Sequence, residues 1–190
     1  MAKRKRVNPH RIPLAKSAID KDAILEEAMH GDMYRAWLLV INAMVELELV
    51  QVTELPSMAD AVNIYISNSS RSPASQQNEI NRAEKLMGIQ NPYENLDPDT
   101  IKSPVELVKF KKKVFRVATH TALCVICLGL EATGRFSKED LRRLFFNVDL
   151  TLTEIEAGCS SYESIEKCLA EKSVKVEVDD GDYSIASIKI

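Results

Sequence analysis

Apolar residues recur at helical spacing along most of the chain, and the polar residues between them mark where each helix starts and stops. Ser17, with Asp20 three residues on, opens a helix over 18–30 that Gly31 closes after His30. Asp32 caps a second helix over 33–50, whose apolar residues surround it almost completely, as in a helix at the centre of a bundle. Thr53 to Asn68 holds a third, starting near Pro56 or Ser57, with Met58, Ala61, Val62, Tyr65 and Ile66 facing inward. Residues 68–78 read as a polar loop, and a short helix over 77–87 ends at Gly88.

The segment Ser103-Pro104-Val105-Glu106 combines an N-cap, a proline at the first helical position and a capping-box glutamate. It predicts one helix of about 25 to 29 residues, with stops on offer at Gly129 and Gly134. Ser137 with Asp140 begins another, to about Asn147, and Thr151 with Glu154 a short one to Gly158. Tyr162 to about Lys172 is the last. After Ser173 the period changes to two: Val174, Val176 and Val178 alternate with Lys175 and Glu177, Asp180-Gly181 is a hairpin turn signal, and Tyr183 to Ile190 returns. The predicted fold is therefore an all-α multi-helix bundle of about seven helices around two long helices, with a small C-terminal β-hairpin. Its parts are a basic N-terminal arm (1–16), a helical domain (17–172) and the hairpin (173–190).

Composition agrees with this reading. The 190 residues are 45% hydrophobic and 28% charged, which excludes a wholly disordered or fibrous chain, and 6% aromatics with 6 glycines favour helix over sheet. Charge is less even than the net of −3 suggests. Lys3, Arg4, Lys5, Arg6, Arg11 and Lys16 stand in the first 16 residues without an acid, so the arm carries +6 and the remainder −9. A basic arm on an acidic body reads either as a tether for nucleic acid or another anionic surface, or as a solvated terminus. No apolar run of signal-peptide length follows the basic start, and the apolar stretch 33–50 is interrupted by Arg35, Asn42, Glu46 and Glu48. The expectation is a cytoplasmic protein without a membrane span, its four cysteines reduced.

The long helix from Pro104 carries the most specific pattern. At 100° per residue, Lys109, Lys112, Lys113, Arg116, His120, Cys124 and Cys127 fall within about 60° of one line. Leu107, Phe110, Val114, Ala118 and Val125 form the opposite, core-like side. The cationic half of the line suits phosphate contact, because successive helical turns set ammonium and guanidinium groups against a polyanion; a solvated face is the plainer alternative. The His/Cys half has the residue types of a zinc site or a Cys-His nucleophile pair, but a fourth ligand and an orienting acid are missing and the surrounding residues are apolar. No metal or cofactor is therefore expected. Glu27-x-x-His30 has the spacing of half a di-iron site, yet Val117 stands where a second Glu-x-x-His ending at His120 needs its glutamate. The two short helices over 137–158 have the outline of a helix-turn-helix, but Asp149, Glu154 and Glu156 would face phosphates. No phosphate-binding glycine loop, Gly-x-Ser-x-Gly elbow or His-Glu-x-x-His occurs, so nothing supports an enzyme.

The run Met33 to Val40, the stretch Arg82-Ala83-Glu84-Lys85-Leu86-Met87-Gly88 and the segment Thr119 to Gly134 resemble small helical proteins of phages and prophages in Gram-positive bacteria. That resemblance implies phage regulation, DNA handling, or the disabling of a host component, and assigns no site residue. Two functional expectations follow. One is a non-enzymatic accessory protein that binds nucleic acid through Lys3, Arg4, Lys5, Arg6 and Arg11 of the arm and through Lys109, Lys112, Lys113 and Arg116. The other is an inhibitor or adaptor whose acidic body meets a host defence or replication protein. Self-association into a homo-oligomer is compatible with both.

Overall fold

In a computed structural model, which describes residues 21–68, 73–89, 103–178 and 186–190, the chain forms an all-α bundle closed by a two-stranded hairpin. The first helix, α1, runs from Lys21 to Glu46 without a break. Gly31 does not stop it: an internal glycine costs a helix only about 1 kcal/mol, which packing of the residues that follow outweighs. Ala36 to Met44 are nine consecutive buried residues, the fully surrounded segment expected of a central helix. A capped 3₁₀ turn, Val52–Glu54, leads into α2 (Leu55–Asn68); Gln51 N–H donates to Glu54 Oε2 at 3.1 Å. The next helix, α3 (Pro73–Met87), begins four residues earlier than its apolar pattern suggests, because Pro73 suits a first helical turn; the expected loop is shorter accordingly. It ends at Gly88, whose φ of +73° is the left-handed conformation that glycine adopts without strain.

The long helix α4 spans Pro104–Ala132, 29 residues, and Ser103 caps it by accepting a hydrogen bond from Glu106 N–H. Gly134, at φ +67°, follows its end, while Gly129 lies inside it. The following helix corrects a second expectation. Residues 138–156 form one helix, α5, where a break near Asn147-Val148-Asp149 was expected, so no helix-turn-helix exists there. Neither glycine nor proline interrupts this stretch, Val148 is buried on the core face, and Thr151 and Thr153 turn their hydroxyls back onto the carbonyls of Asn147 and Asp149 instead of capping a new helix. Fusion of the two expected pairs leaves six α-helices among the described residues, the last being α6 (Tyr162–Glu171), capped by Ser161. The hairpin pairs β1 (Lys175–Val178) antiparallel to β2 (Ala186–Lys189), with Val176 opposite Ile188.

The two long helices α1 and α4 pack on each other, α2 and α3 cover α4, α5 and α6 flank α1, and the hairpin lies on α2 and α1. Two details set this packing. A Cβ on Gly129 would stand 2.6 Å from Val62 Cγ1 and 3.3 Å from Val62 Cα, so α2 meets α4 at a distance only glycine permits. The hairpin is held by Asn63 of α2, whose buried amide acts as a third strand: Nδ2 donates to the Ala186 carbonyl at 2.5 Å and Oδ1 accepts from Ala186 N–H at 3.2 Å. Val174, Val176, Ala186 and Ile188 are thereby buried in the same core as the helices. On the outer face Glu177 pairs with Lys175 at 2.7 Å and with Lys189 across the strands, and these bonds hold its carboxyl down at about 2.

Gly129→Ala is expected to destabilise the protein by about 1–3 kcal/mol in chemical denaturation, as overpacked cores do. Combined with Val62→Ala, which removes the obstructing methyl, it should cost less than the two single losses added together. Asn63→Ala leaves both polar groups of Ala186 buried without their partner, and should cost about 1–3 kcal/mol and speed amide exchange at Ala186. Unchanged exchange there would contradict the third-strand role of Asn63.

Candidate nucleic-acid interface

The cap at Ser103 sets the phase of α4, and with it the exposure of its first turns. Phe110 and Val114 point into the core, while Lys109, Lys112 and Lys113 are exposed on the opposite side. No ion pair among the described residues involves these three lysines, so their charge faces water. Arg116, one turn further on, is different: its Nη1 lies 2.6 Å from Glu156 Oε2 at the end of α5. Glu156 therefore offsets its charge, as nothing does for the three lysines among the described residues. Lys3, Arg4, Lys5, Arg6 and Arg11 lie outside the described residues.

The second half of the line behaves oppositely. His120, Cys124 and Cys127 are buried, because α3 lies over them, and the more open positions on this half of α4 are Ala118, Thr121 and Val125, the side expected to face the core. A helical wheel shows which residues share a side but not which side a neighbour covers. His120 Nε2 sits 3.0 Å from Glu84 Oε1 of α3, a part-buried polar pair. Burial pushes the Cys127 thiol up to about 12, with Glu131 adding to the shift and Arg82 opposing it. Cys124 is raised further, first by burial and then by Glu84 and Cys127. Thiols so placed are core hydrophobes, not nucleophiles. Among the described residues no three His, Cys, Asp or Glu side chains are disposed to hold a metal ion. The side chains of Glu27 and His30 lie outside the description. By length and composition α4 alone among the described helices is apolar enough to cross a membrane, but 61% of its most apolar window is buried inside the bundle.

A second cationic surface is absent from the sequence pattern. Where α3 passes beside α5, a groove of about 480 Å³ is lined by Asn78, Asn81, Arg82, Lys85, Lys138 and Arg142. Arg82 and Lys85 are three apart on α3, and Lys138 and Arg142 four apart on α5, so each helix offers two cations on one face. Glu131, at the end of α4, also lines the groove and holds Arg82 Nη2 at 2.5 Å. Four cations thus share the groove with one carboxylate, two carboxamides and the apolar Leu86. No protein-family model, curated protein or solved structure matches the chain. The groove is equipped to hold phosphates by charge and hydrogen bonding. The sequence signal that could have found it is the pair of cation spacings; what was missing is the adjacency of helices more than 50 residues apart.

Thiol labelling checks this arrangement. Cys159 is exposed and should react readily in the native protein, whereas Cys124 and Cys127 should react only after unfolding in denaturant. Rapid native labelling of either buried thiol would mean that α3 does not cover α4 as described.

Proposed function

We propose that this protein binds nucleic acid and does no chemistry on it. The observation that supports this reading best is the α3/α5 groove, in which four cations meet one carboxylate although the chain as a whole carries −3. A polyanion lying on such a surface releases condensed counterions, which is the main source of affinity in phosphate recognition. Segregated charge lets an acidic protein do this, because carboxylates more than about 10 Å away are screened at ordinary salt whereas cations in contact are not; Glu84 and Glu139, beside Lys85 and Lys138, act against it. The exposed lysines 109, 112 and 113 and the +6 arm offer further phosphate contacts, whereas the charge of Arg116 is offset by Glu156. Contacts of this type position a protein on nucleic acid without reading bases.

The test is binding of the full chain to duplex and single-stranded DNA across a salt series. Affinity should fall with salt at a log-log slope of roughly −0.9 per neutralised phosphate on the duplex. Removal of residues 1–6 takes away four cations and should flatten the slope by up to about 3 to 4 units. Arg142→Glu and Lys112→Glu should each weaken binding to all sequences alike. Failure of the full chain to bind either form at ~50 mM salt, where electrostatic binding is strong, would overturn the reading in favour of a protein partner.

A further inference from the structure

Phe146 is 71% exposed on α5, the most exposed large hydrophobic residue among those described, and Leu150 one turn later is 50% exposed. The buried face of the same helix is complete without them: Leu141, Leu144, Phe145 and Val148 are all in the core. Phe146 therefore contributes nothing evident to folding, and a bare aromatic ring on a helix is a feature to be accounted for. Its neighbours on the outward face are Arg143 three residues before and Arg142 four residues before, both exposed, each about one turn or 5 Å along the axis. Arg142 also lines the cationic groove, so the ring sits at the end of the row Lys138, Arg142, Phe146. Glu139 shares that outward face, two turns away from the ring toward the start of the helix, and Asp149 stands half-buried beyond it.

We infer that the α3/α5 groove takes a single strand, with Phe146 as the platform on which one unpaired base stacks while Arg142, Lys138 and the α3 cations hold the neighbouring phosphates. The inference rests on the nucleic-acid reading above and narrows it. An exposed aromatic ring one turn beyond two guanidinium groups has no counterpart on the outside of a duplex, where the base faces are covered by stacking, but fits an unpaired base, whose face is open and whose neighbouring phosphates carry the charge that the arginines meet. A purely apolar partner, including a second copy of this face, would bring Arg142 and Arg143 against their own kind or strip them of water; a strand neutralises them. Leu150 adds apolar contact for the sugar of the stacked nucleotide.

The experiment measures binding of the full chain to a labelled oligothymidylate of about 20 nucleotides and to a duplex of equal length at ~50 mM salt, with Phe146→Ala, Phe146→Tyr and the double charge reversal Arg142→Glu, Arg143→Glu. Circular dichroism and the emission of Trp37, which is fully buried, report that each variant is folded. The expected result is tighter binding to the single strand. Phe146→Ala should weaken it by about 5- to 150-fold while leaving duplex binding and the salt slope unchanged, and Phe146→Tyr should retain it. The double reversal should weaken both forms and flatten both slopes. Two results overturn the inference while the nucleic-acid reading stands: equal affinity for both forms, or a folded Phe146→Ala variant that binds the single strand as before. Conversion of an oligomer to a monomer by Phe146→Ala, with strand binding intact, would assign the face to self-association and overturn it equally. Absence of binding to both probes removes the nucleic-acid reading itself, and this inference with it.

Discussion

Nine consecutive residues of α1, from Ala36 to Met44, are buried, and the rest of the architecture follows from that constraint. A helix satisfies its own backbone hydrogen bonds, so it can be buried on every side, but only if other elements cover its whole circumference. One neighbour covers a stripe. Here α4 covers the widest part, α5 and α6 take the flanks, and the hairpin closes the remaining gap. The hairpin is thus part of the core, and its apolar face of Val174, Val176, Ala186 and Ile188 gains the support that two strands cannot give each other. On the far side of α4 from this cover, α2 packs so close that a glycine stands at position 129.

Polar groups drawn into this interior are handled in different ways. Asn63 is fully used, both ends of its amide being bonded to Ala186, and it ties an element at the C-terminus to one more than 120 residues earlier. His120 and Glu84 meet between α4 and α3, and Arg82 with Glu131 joins the same two helices nearer the solvent. Tyr34 and Glu166 link α1 to α6 at 2.8 Å, with the phenol pushed up to about 12 by burial and then by the carboxylate. Arg35 stacks over Phe115 at 4.7 Å and over Tyr162 at 5.5 Å, joining three helices through one guanidinium group. Trp37 Nε1 and Asn147 Oδ1 are the exceptions: both are buried with no hydrogen-bond partner among the described residues, and at Trp37 filling volume has outweighed hydrogen bonding. The pairs His120–Glu84 and Arg82–Glu131 tie α3 to α4, and α3 also packs against α5, where the cationic groove lies.

The candidate site was partly legible from the chain. The lysine stripe at 109, 112 and 113 is a property of one helix and survives in the structure, because a strong cap at Ser103 and Pro104 sets both the start and the phase of α4. The continuation of the same line through His120, Cys124 and Cys127 was legible as a line but not as a buried one, since what buries it is α3. Arg116 looked like its lysine neighbours until α5, long enough to bring Glu156 alongside, engaged it. The α3/α5 groove was not legible at all: its cations come from two segments whose contact is tertiary.

The sequence by itself determined the helical class, the central position of the segment around Trp37, most helix starts, and the hairpin with Val174 and Val176 turned inward. Each depends on residues within about one or two turns of one another, where capping, period and steric preference operate. Only the tertiary structure decided that Gly31 lies within a helix, that residues 138–156 form one helix instead of two, and that Phe146 is left outside while Phe145 is taken in. A local stop signal is worth about 1 kcal/mol, and burial of several large side chains on either side of it is worth more, so wherever the two conflicted the packing prevailed.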